Sequence, residues 1–550
     1  MLRKLVIAAL LWPSTASAAV QLMPGVRYSH VLRFTPSGPV SMFVVTAPAP
    51  TGLYRLKPLL SNGTILGRET VSSMERDVSA QVTTVGVNGD FFAWANGRPS
   101  GILVRDGVLE HQSIPKRSSI GIDGSGGLRV DRVAYSGRWG PELVYPLDLV
   151  NQSPGPQQAA LFTPAWGPAT PSAADTVEAV LEPLPPLVPG KQLTGTVVSV
   201  RSGGGTPIPA DGGVLVARGD LGAELTTVAS PGAVLPLRVV LKDPAGADWP
   251  VLDALGGGPA LVQQGRPILH AHEALLPNQL LGRDPRTAIG QRADGGIVMV
   301  VVDGRQRGYS IGITNWDLAQ TLVRYGCVTG SALDSGGSST LAFDGTVLNH
   351  PSDPTGERPV GEALVLAYEG VFVPQPAPVM SPNGDGVDDV ERLSYKLVRP
   401  SSVHATLVGP GVVQDVDAGA RAPGRYTFRF DAPEPEGRWS WDVDAVDDLG
   451  RTSSQRRVFL LDTTLGFLRV GAGRVSFRLA RPARVQLVVQ NRFGAVLRRV
   501  SLGERAAGRV VARVPRRDGR GRRLSGTYVL RVTASSAIGA SQLTRRVRFR

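Results

Sequence analysis

Glycine and proline interrupt this sequence so often that long helices have no room between them. The 550-residue chain holds 66 glycines and 44 prolines, and each frees or fixes a backbone torsion in a way that disfavours a helix interior. Between the breaks lie short runs rich in valine and leucine, such as SMFVVTAP, LTGTVVSVRS, GGVLVARG and GIVMVVVDG. Short runs of this kind bounded by turn residues read as strands. The chain is too long for one ordinary core, so two to four domains are expected. One helix stands out in NWDLAQTLVRYG, where Leu318, Leu322 and Val323 recur at helical spacing behind a Thr314 or Asn315 cap.

The sequence divides into regions. Residues 1–18 have the order of a secretory signal peptide: Arg3 and Lys4, an apolar run over 5–12, Pro13, then a small-residue exit, ASAA. The run is well short of the roughly 20 residues a membrane span needs. Export to the periplasm or the extracellular space is therefore expected, without a transmembrane segment. Residues 20–373 read as an α+β domain dominated by strands. A proline-rich linker, 374–382, is expected to be extended and exposed. Beyond it the chain repeats itself. SYKLVRPSSVHATLV matches SFRLARPARVQLVV, GRWSWDVDAVDDLG matches GTYVLRVTASSAIG, and QRRVFLLD matches TRRVRFR. Alternating patterns repeated this way predict two all-β sandwiches, 383–462 and 463–550, resembling bacterial Ig-like modules.

The formal charge of +13 is unevenly spread, with arginines crowding VARVPRRDGRGRRL and LTRRVRFR. No helix-turn-helix, RNP or zinc-finger pattern accompanies them, so nucleic acid is not the expected partner. An anionic envelope surface suits the basic C-terminus better, and a merely solvated basic face is an equally open reading. Cys327 stands alone, which rules out a disulfide within the chain, and its apolar setting marks a buried structural thiol. In SPNGDGVDDVE, Asn383, Asp385 and Asp389 place oxygens at alternating positions around a glycine turn. That is a calcium-loop pattern with an incomplete EF-hand run, or else a solvated acidic turn. His270 and His272 in ILHAHEA are too few for a metal site.

The segment GSALDSGGSSTLAFDG poses the functional question. DSGG could hold a nucleophilic Ser335, but a serine nucleophile needs a histidine base and a carboxylate to orient it. Neither His30 in RYSHVL nor His111 in VLEHQS sits in a suitable segment, and the GxSxG elbow is absent at this serine. Asp334 is the better candidate, a carboxylate following an apolar strand, with Gly336 and Gly337 clearing space and Ser338 and Ser339 offering hydrogen bonds. Asp303 ends the run GIVMVVVDG and brings a second carboxylate to a sheet edge, or serves an ordinary hairpin turn. Arg286 in RDPRTAIG and Arg358 in ERPVGEAL are guanidiniums suited to phosphate, with an Arg286–Asp284 ion pair as the plainer reading. Asn88 and Asp90 in VNGDFF are exposed by a small turn and could line a pocket.

The ordered set GVNGDFFAWANGRPSG, DALGGGPALVQQGRPI, RDPRTAIGQRADGGIVMVVVDGR, GSALDSGGSSTLAFDG and ERPVGEALVLAY resembles the phosphodiester glycosidase family, also met as exopolysaccharide-biosynthesis-related proteins. The resemblance implies hydrolysis of a sugar-1-phosphodiester, with a glycan or sugar-phosphate polymer as substrate. Asp334 and Asp303 would be the catalytic carboxylates, Arg286 would grip phosphate, and no cofactor is required. Two departures stand out. Ser335 replaces a glycine usual beside the aspartate, and Glu362 replaces an asparagine, adding a negative charge near a phosphate site. These departures keep open a second reading, a non-catalytic carbohydrate-binding or cell-surface structural protein on the same fold.

Overall fold

The computed structural model describes residues 15–16, 19–269, 273–431, 434–491 and 494–549. Most of the expected signal peptide and His270 and His272 lie outside them. Strands dominate, and the helices are short: Val71–Asp77, Asp220–Val228, Pro277–Leu281 and Asn315–Arg324. Contacts divide the chain into two units, residues 1–368 and 369–550.

The first unit is organised by a nine-stranded sheet whose inner strands run Val26–Thr35, Gly38–Ala47, Ile297–Val302, Arg286–Arg292, Cys327–Ala332 and Ala260–Gln263. The IVMVVV strand is buried at every position, as a β-branched run must be when both sheet faces are covered. Val298, Val300 and Val302 pack beneath Leu318, Ala319 and Leu322 of the Asn315–Arg324 helix. That helix forms where the spacing predicts it, and the Thr314 hydroxyl caps it by accepting from the Asp317 amide at 3.1 Å. A five-stranded sheet runs Thr346–Val347, Leu341–Phe343, Thr83–Asn88, Glu362–Tyr368 and Tyr54–Leu60. The segment 333–340 crosses from the first sheet to this one. Corresponding ends of both sheets therefore meet around it: the start of Arg286–Arg292, the end of Ile297–Val302, the end of Thr83–Asn88 and the start of Glu362–Tyr368. Another five-stranded sheet and an eight-stranded sheet complete the unit, and Trp139, Leu161 and Trp249 belong to one core there.

The second unit holds two β-sandwiches whose last six strands pair in the same order, as the repeat predicts, while their first strands join different sheets. Glu391–Leu397, Ser401–Gly409, Gly437–Asp447 and Thr452–Leu461 of the first correspond to Arg474–Leu479, Ala483–Gln490, Gly526–Ser535 and Ala540–Phe549 of the second. Trp439, Trp441, Tyr395 and Phe459 fill the first core, and Phe477, Leu487 and Leu530 the second. The first sandwich begins earlier than the expected residue 383, because Val371, Val373 and Met380 lie in its core. The expected linker is built into it as well. Val379–Met380 pairs in parallel with Leu460 and Leu461, so these residues do not form a free, solvated connection.

Cys327 is buried, and burial pushes its thiol up to about 12. A thiol reagent at pH 8 is expected to label it only at the rate of global unfolding. Labelling within seconds under native conditions contradicts this packing.

Candidate active site

Three neighbouring strands bring Asp334, Arg286 and Asp303 to one end of the nine-stranded sheet. Arg286 pairs across from Val302, and Ala288 across from Ala332, in register. Leu333 continues that ladder by donating its amide to Thr287 O at 3.0 Å. Asp334 follows one residue later, past the last registered pair, where its amide donates to Gly89 O at 3.1 Å and its charge acts on Arg286. Asp303 follows Val302 just past the end of its strand, and its carboxylate shares no hydrogen-bond partner with that of Asp334.

Asp334 is buried, with Oδ1 accepting from the Ser335 amide at 2.7 Å and Oδ2 from Ser338 Oγ at 2.6 Å. Burial raises its pKa to about 6; the two hydrogen bonds from Ser338 and Ser335 hold it down, while the charge of Asp90 adds to the rise. Ser335 has an extended backbone, with φ −130°, so the position makes no demand for glycine.

Arg286 is buried without a carboxylate within ion-pairing distance among the described residues. Nη1 donates to Gln279 O and Nη2 to Gly282 O, both at 2.7 Å, and Nη1 also reaches Ser335 Oγ at 3.4 Å. Its Nε–H has no partner. Burial pulls its pKa down, and the charges of Asp284 and Asp334 restore part of the shift. The plainer reading of Arg286 fails on geometry, because Asp284 forms its two-pronged pair with Arg305, at 2.7 and 2.8 Å.

Both loop glycines are explained by arginines. A Cβ at Gly336, where φ is +75°, would lie 2.9 Å from Arg305 Nη2, and one at Gly337 would collide with Arg358 and Asp353. The bare backbone thus admits guanidiniums, a role the sequence does not disclose. Arg358 pairs with Asp353 at 2.7 and 2.9 Å, and its Nη1 lies 3.4 Å from Ser338 Oγ. Its guanidinium also lies over Trp94, 5.2 Å from the ring centroid, and Arg68 lies at the same distance from that ring. Trp94 is 62% exposed. Asp353, Trp94 and Arg68 were not singled out from the sequence; the aromatic cluster in DFFAW was the available signal for Trp94.

Asn88 and Asp90 are buried instead of lining a pocket. Asn88 Nδ2 donates to Asp334 O at 2.9 Å, and its Oδ1 accepts from Thr287 Oγ1 at 2.7 Å and the Thr340 amide at 3.2 Å. Asp90 is paired with Arg117 and accepts the Gly101 amide at 2.6 Å. Glu362 accepts the Asp90 amide at 3.0 Å. Burial, with Asp90 close by, drives its pKa well above the ordinary carboxylate range, while the Asp90 amide and Arg117 oppose the rise. Its Oε2 is buried without a hydrogen-bond partner. Ser339 is buried and its hydroxyl has no partner.

Asp303 is fixed by Asn349 Nδ2 at 2.8 Å, Tyr309 OH at 2.9 Å and the His350 amide at 3.1 Å. The same Asn349 amide donates to Ser339 O at 3.0 Å. Asp303 therefore braces the 334–340 loop from behind, and burial raises its pKa to about 6.

The 383–389 loop turns its carboxylates inward. Asp389 accepts the amides of Asn383, Gly384 and Gly386, and Asp385 accepts those of Val387 and Phe467. Among the described residues no group of three or more His, Cys, Asp or Glu is placed to hold a metal ion. A separate cleft of about 740 Å³ is lined by Arg98, Gln112, Lys116, Tyr135, Asp148 and Gln152 and includes none of the residues nominated from the sequence.

Residues 191–367 match the phosphodiester glycosidase family model, and the chain carries a domain of that family. The match includes Arg286, Asp303, Asp334, Arg358 and Glu362 but not Asn88 or Asp90. The SPbeta prophage-derived uncharacterized protein YomE of Bacillus subtilis (strain 168) is 43% identical over 86 residues, 16% of this chain and 13% of that protein. The N-acetylglucosamine-1-phosphodiester alpha-N-acetylglucosaminidase of Bos taurus is 39% identical over 70 residues, 12% of each chain. The chain thus spans about an eighth of the curated relatives it matches. A hypothetical protein from Synechocystis shares the fold with TM-score 0.52 and 24% identity, over 66% of this chain and 64% of that one. A Burkholderia pseudomallei K96243 protein provisionally described as exported does so with TM-score 0.50 and 24% identity, over 62% and 76%. No helix among the described residues is long and apolar enough to cross a membrane.

The raised pKa of Asp303 gives a signed pH prediction. Its folded value lies above the unfolded one, so between about pH 4 and 6 the folded chain binds the extra proton, and this group favours folding more at pH 5 than at pH 7. Asp303→Asn lacks that gain. Its destabilisation, measured by urea unfolding, is expected to grow by about 1 kcal/mol between pH 7 and pH 5. A cost independent of pH contradicts the raised value.

Proposed function

We propose that this chain is an exported hydrolase cleaving a glycosyl phosphodiester, the bond between a sugar anomeric carbon and a phosphate diester. The observation that carries this reading is the closeness of buried Asp334 to Arg286, a guanidinium with no carboxylate within ion-pairing distance among the described residues and an unpartnered Nε–H. A guanidinium presents five N–H donors. One N–H of each terminal nitrogen is bound to a carbonyl and Nη1 also reaches Ser335 Oγ, which leaves the second Nη2 N–H and the buried Nε–H without a protein partner. Phosphate oxygens are the natural acceptors for such a fork. Arg305 and Arg358, already neutralised by Asp284 and Asp353, border the same corner and set its shape.

The group that departs is a phosphate monoester, a good leaving group that needs little protonation. Asp334 therefore acts as the ionised carboxylate, taking the proton of a water that attacks the anomeric carbon. The carbon–oxygen bond breaks, and its electron pair leaves on the phosphate oxygen held by Arg286. Trp94 supplies an apolar face beside this corner for a sugar ring. The signal-like N-terminus supports export, and the family supports a glycan substrate. No cofactor enters the scheme.

Sugar release from a synthetic hexosamine-1-phosphodiester tests the proposal. The wild type is expected to turn over with kcat falling as pH drops through about 6. Asp334→Asn should lower kcat by about 10³-fold, and Arg286→Lys should lower kcat/KM by about 10²-fold. One observation favours the second reading, a carbohydrate-binding protein: the Asp334 oxygens and both Arg286 terminal nitrogens are already engaged within the protein. A wild type that binds several such diesters and hydrolyses none establishes that reading instead.

A further inference from the structure

Between residues 463 and 550 the chain has 21 arginines, no lysine and only two acidic residues, Glu504 and Asp518. This local excess is larger than the net +13 of the whole chain. The second sandwich concentrates much of it on one face. Its three-stranded sheet, Leu465–Gly471, Arg474–Leu479 and Gly508–Arg513, contains no acidic residue. Val475, Phe477 and Leu479 point into the core, so the alternate positions point out. Register then sets Arg474 directly opposite Arg513 and Arg478 directly opposite Arg509. Arg469, also exposed, lies across from Ser476 between the two pairs.

Like charges directly opposed on neighbouring strands destabilise a sheet. Here two such pairs occur on one face. None of Arg474, Arg478, Arg509 or Arg513 has a carboxylate within ion-pairing distance among the described residues. At one end the face opens into a cleft of about 680 Å³, lined by Arg474, Arg498, Arg513, Arg516 and Arg517 with Asp518. The Asp518 carboxylate is occupied by Arg522 and by the amides of Arg520 and Arg522. Arg516 reaches in over Gly473, where φ is +72° and no Cβ stands in its way.

The geometry points to this arginine face as a docking site for a linear anionic glycan, a polymer of sugars bearing phosphodiester groups. Guanidinium matches phosphate oxygens in a two-pronged fork, which lysine does not, and the module uses arginine throughout. The two pairs lie about 14 Å apart along the strands, four residues at about 3.4 Å each. That spacing suits charges strung along a chain better than a single anion. Single-stranded nucleic acid would want stacking aromatics, whereas Phe467 is the one exposed aromatic on this sheet. A bilayer would want an apolar surface to insert, and the face between the arginine pairs offers only Val511. The phosphodiester identity of the polymer rests on the function proposed above; the anion-binding face does not.

The test uses the full chain carrying Asp334→Asn, so that polymer is retained, and an oligomer of hexosamine 1-phosphates joined by phosphodiesters. Affinity is read by calorimetry across salt concentrations, beside neutral dextran, duplex DNA and phosphatidylglycerol vesicles. Tight binding to the oligomer is expected, falling steeply with salt. Changing Arg474, Arg478, Arg509 and Arg513 together to Gln should weaken it at least about 30-fold and reduce the log–log salt slope by about 3, as loss of four phosphate contacts requires. In the otherwise wild-type chain the same four changes should leave hydrolysis of a short soluble diester unchanged and the melting temperature equal or higher, since like-charge repulsion is removed. Equal retention on dextran, tighter binding to DNA or vesicles, or unchanged affinity in the four-residue variant overturns the proposal. The two readings separate cleanly. Oligomer binding without turnover in the wild-type chain rejects the catalytic function and keeps the docking face; turnover of the short diester without oligomer binding does the reverse.

Discussion

The buried side-chain amide of Asn88 ties together the two sheets at the end where the acidic loop crosses between them. It holds the carbonyl of Asp334, accepts the hydroxyl of Thr287 on the first sheet, and accepts the amide of Thr340 at the return to the second. All its strong hydrogen-bonding directions are satisfied within the protein, as a fully buried amide demands. Asp303 and Asn349 brace the same loop from its other side through Ser339. The loop is thereby fixed at both ends and behind, and Asp334 is presented by a frame that does not depend on its own charge.

Charge burial is the second theme of this unit. Asp90 is compensated by Arg117, whereas burial beside Asp90 raises the Glu362 carboxyl well above its ordinary range. Arg286 lies between these cases. Its hydrogen bonds go to neutral carbonyls, so its positive charge is left for an outside anion or for Asp334. Arg305 and Arg358 look equivalent to it in sequence but are already paired. Three guanidiniums around one glycine corner thus divide into one that is electrostatically available and two that shape the corner.

The second unit follows the opposite rule. Its sandwiches are stabilised by aromatic and aliphatic cores, and the carboxylates of the 383–389 loop satisfy backbone amides, joining the first sandwich to the second through Asp385 and Phe467. The outer face of the last module leaves like charges uncompensated where a sheet would ordinarily pair them with acids. Uncompensated guanidiniums thus occur in two settings of different construction, one buried and singular, the other exposed and repeated.

Much of the frame was legible in the sequence. The helix at Asn315–Arg324, the doubly buried IVMVVV strand and the tandem sandwiches follow from periodicity and repetition, and Asp334 and Arg286, nominated together, come from neighbouring strands of one sheet. The rest was not, because a period of two says which residues alternate but not which strand lies alongside. Tertiary packing set Asp303 among Tyr309, Asn349 and His350, drew Asp284 to Arg305, made Asn88 a clamp, and set Arg474 against Arg513. The glycines were seen, but only packing revealed that guanidiniums occupy their space. Local chemistry is written along the chain; the sign and direction of each buried group were decided by register between strands far apart in sequence.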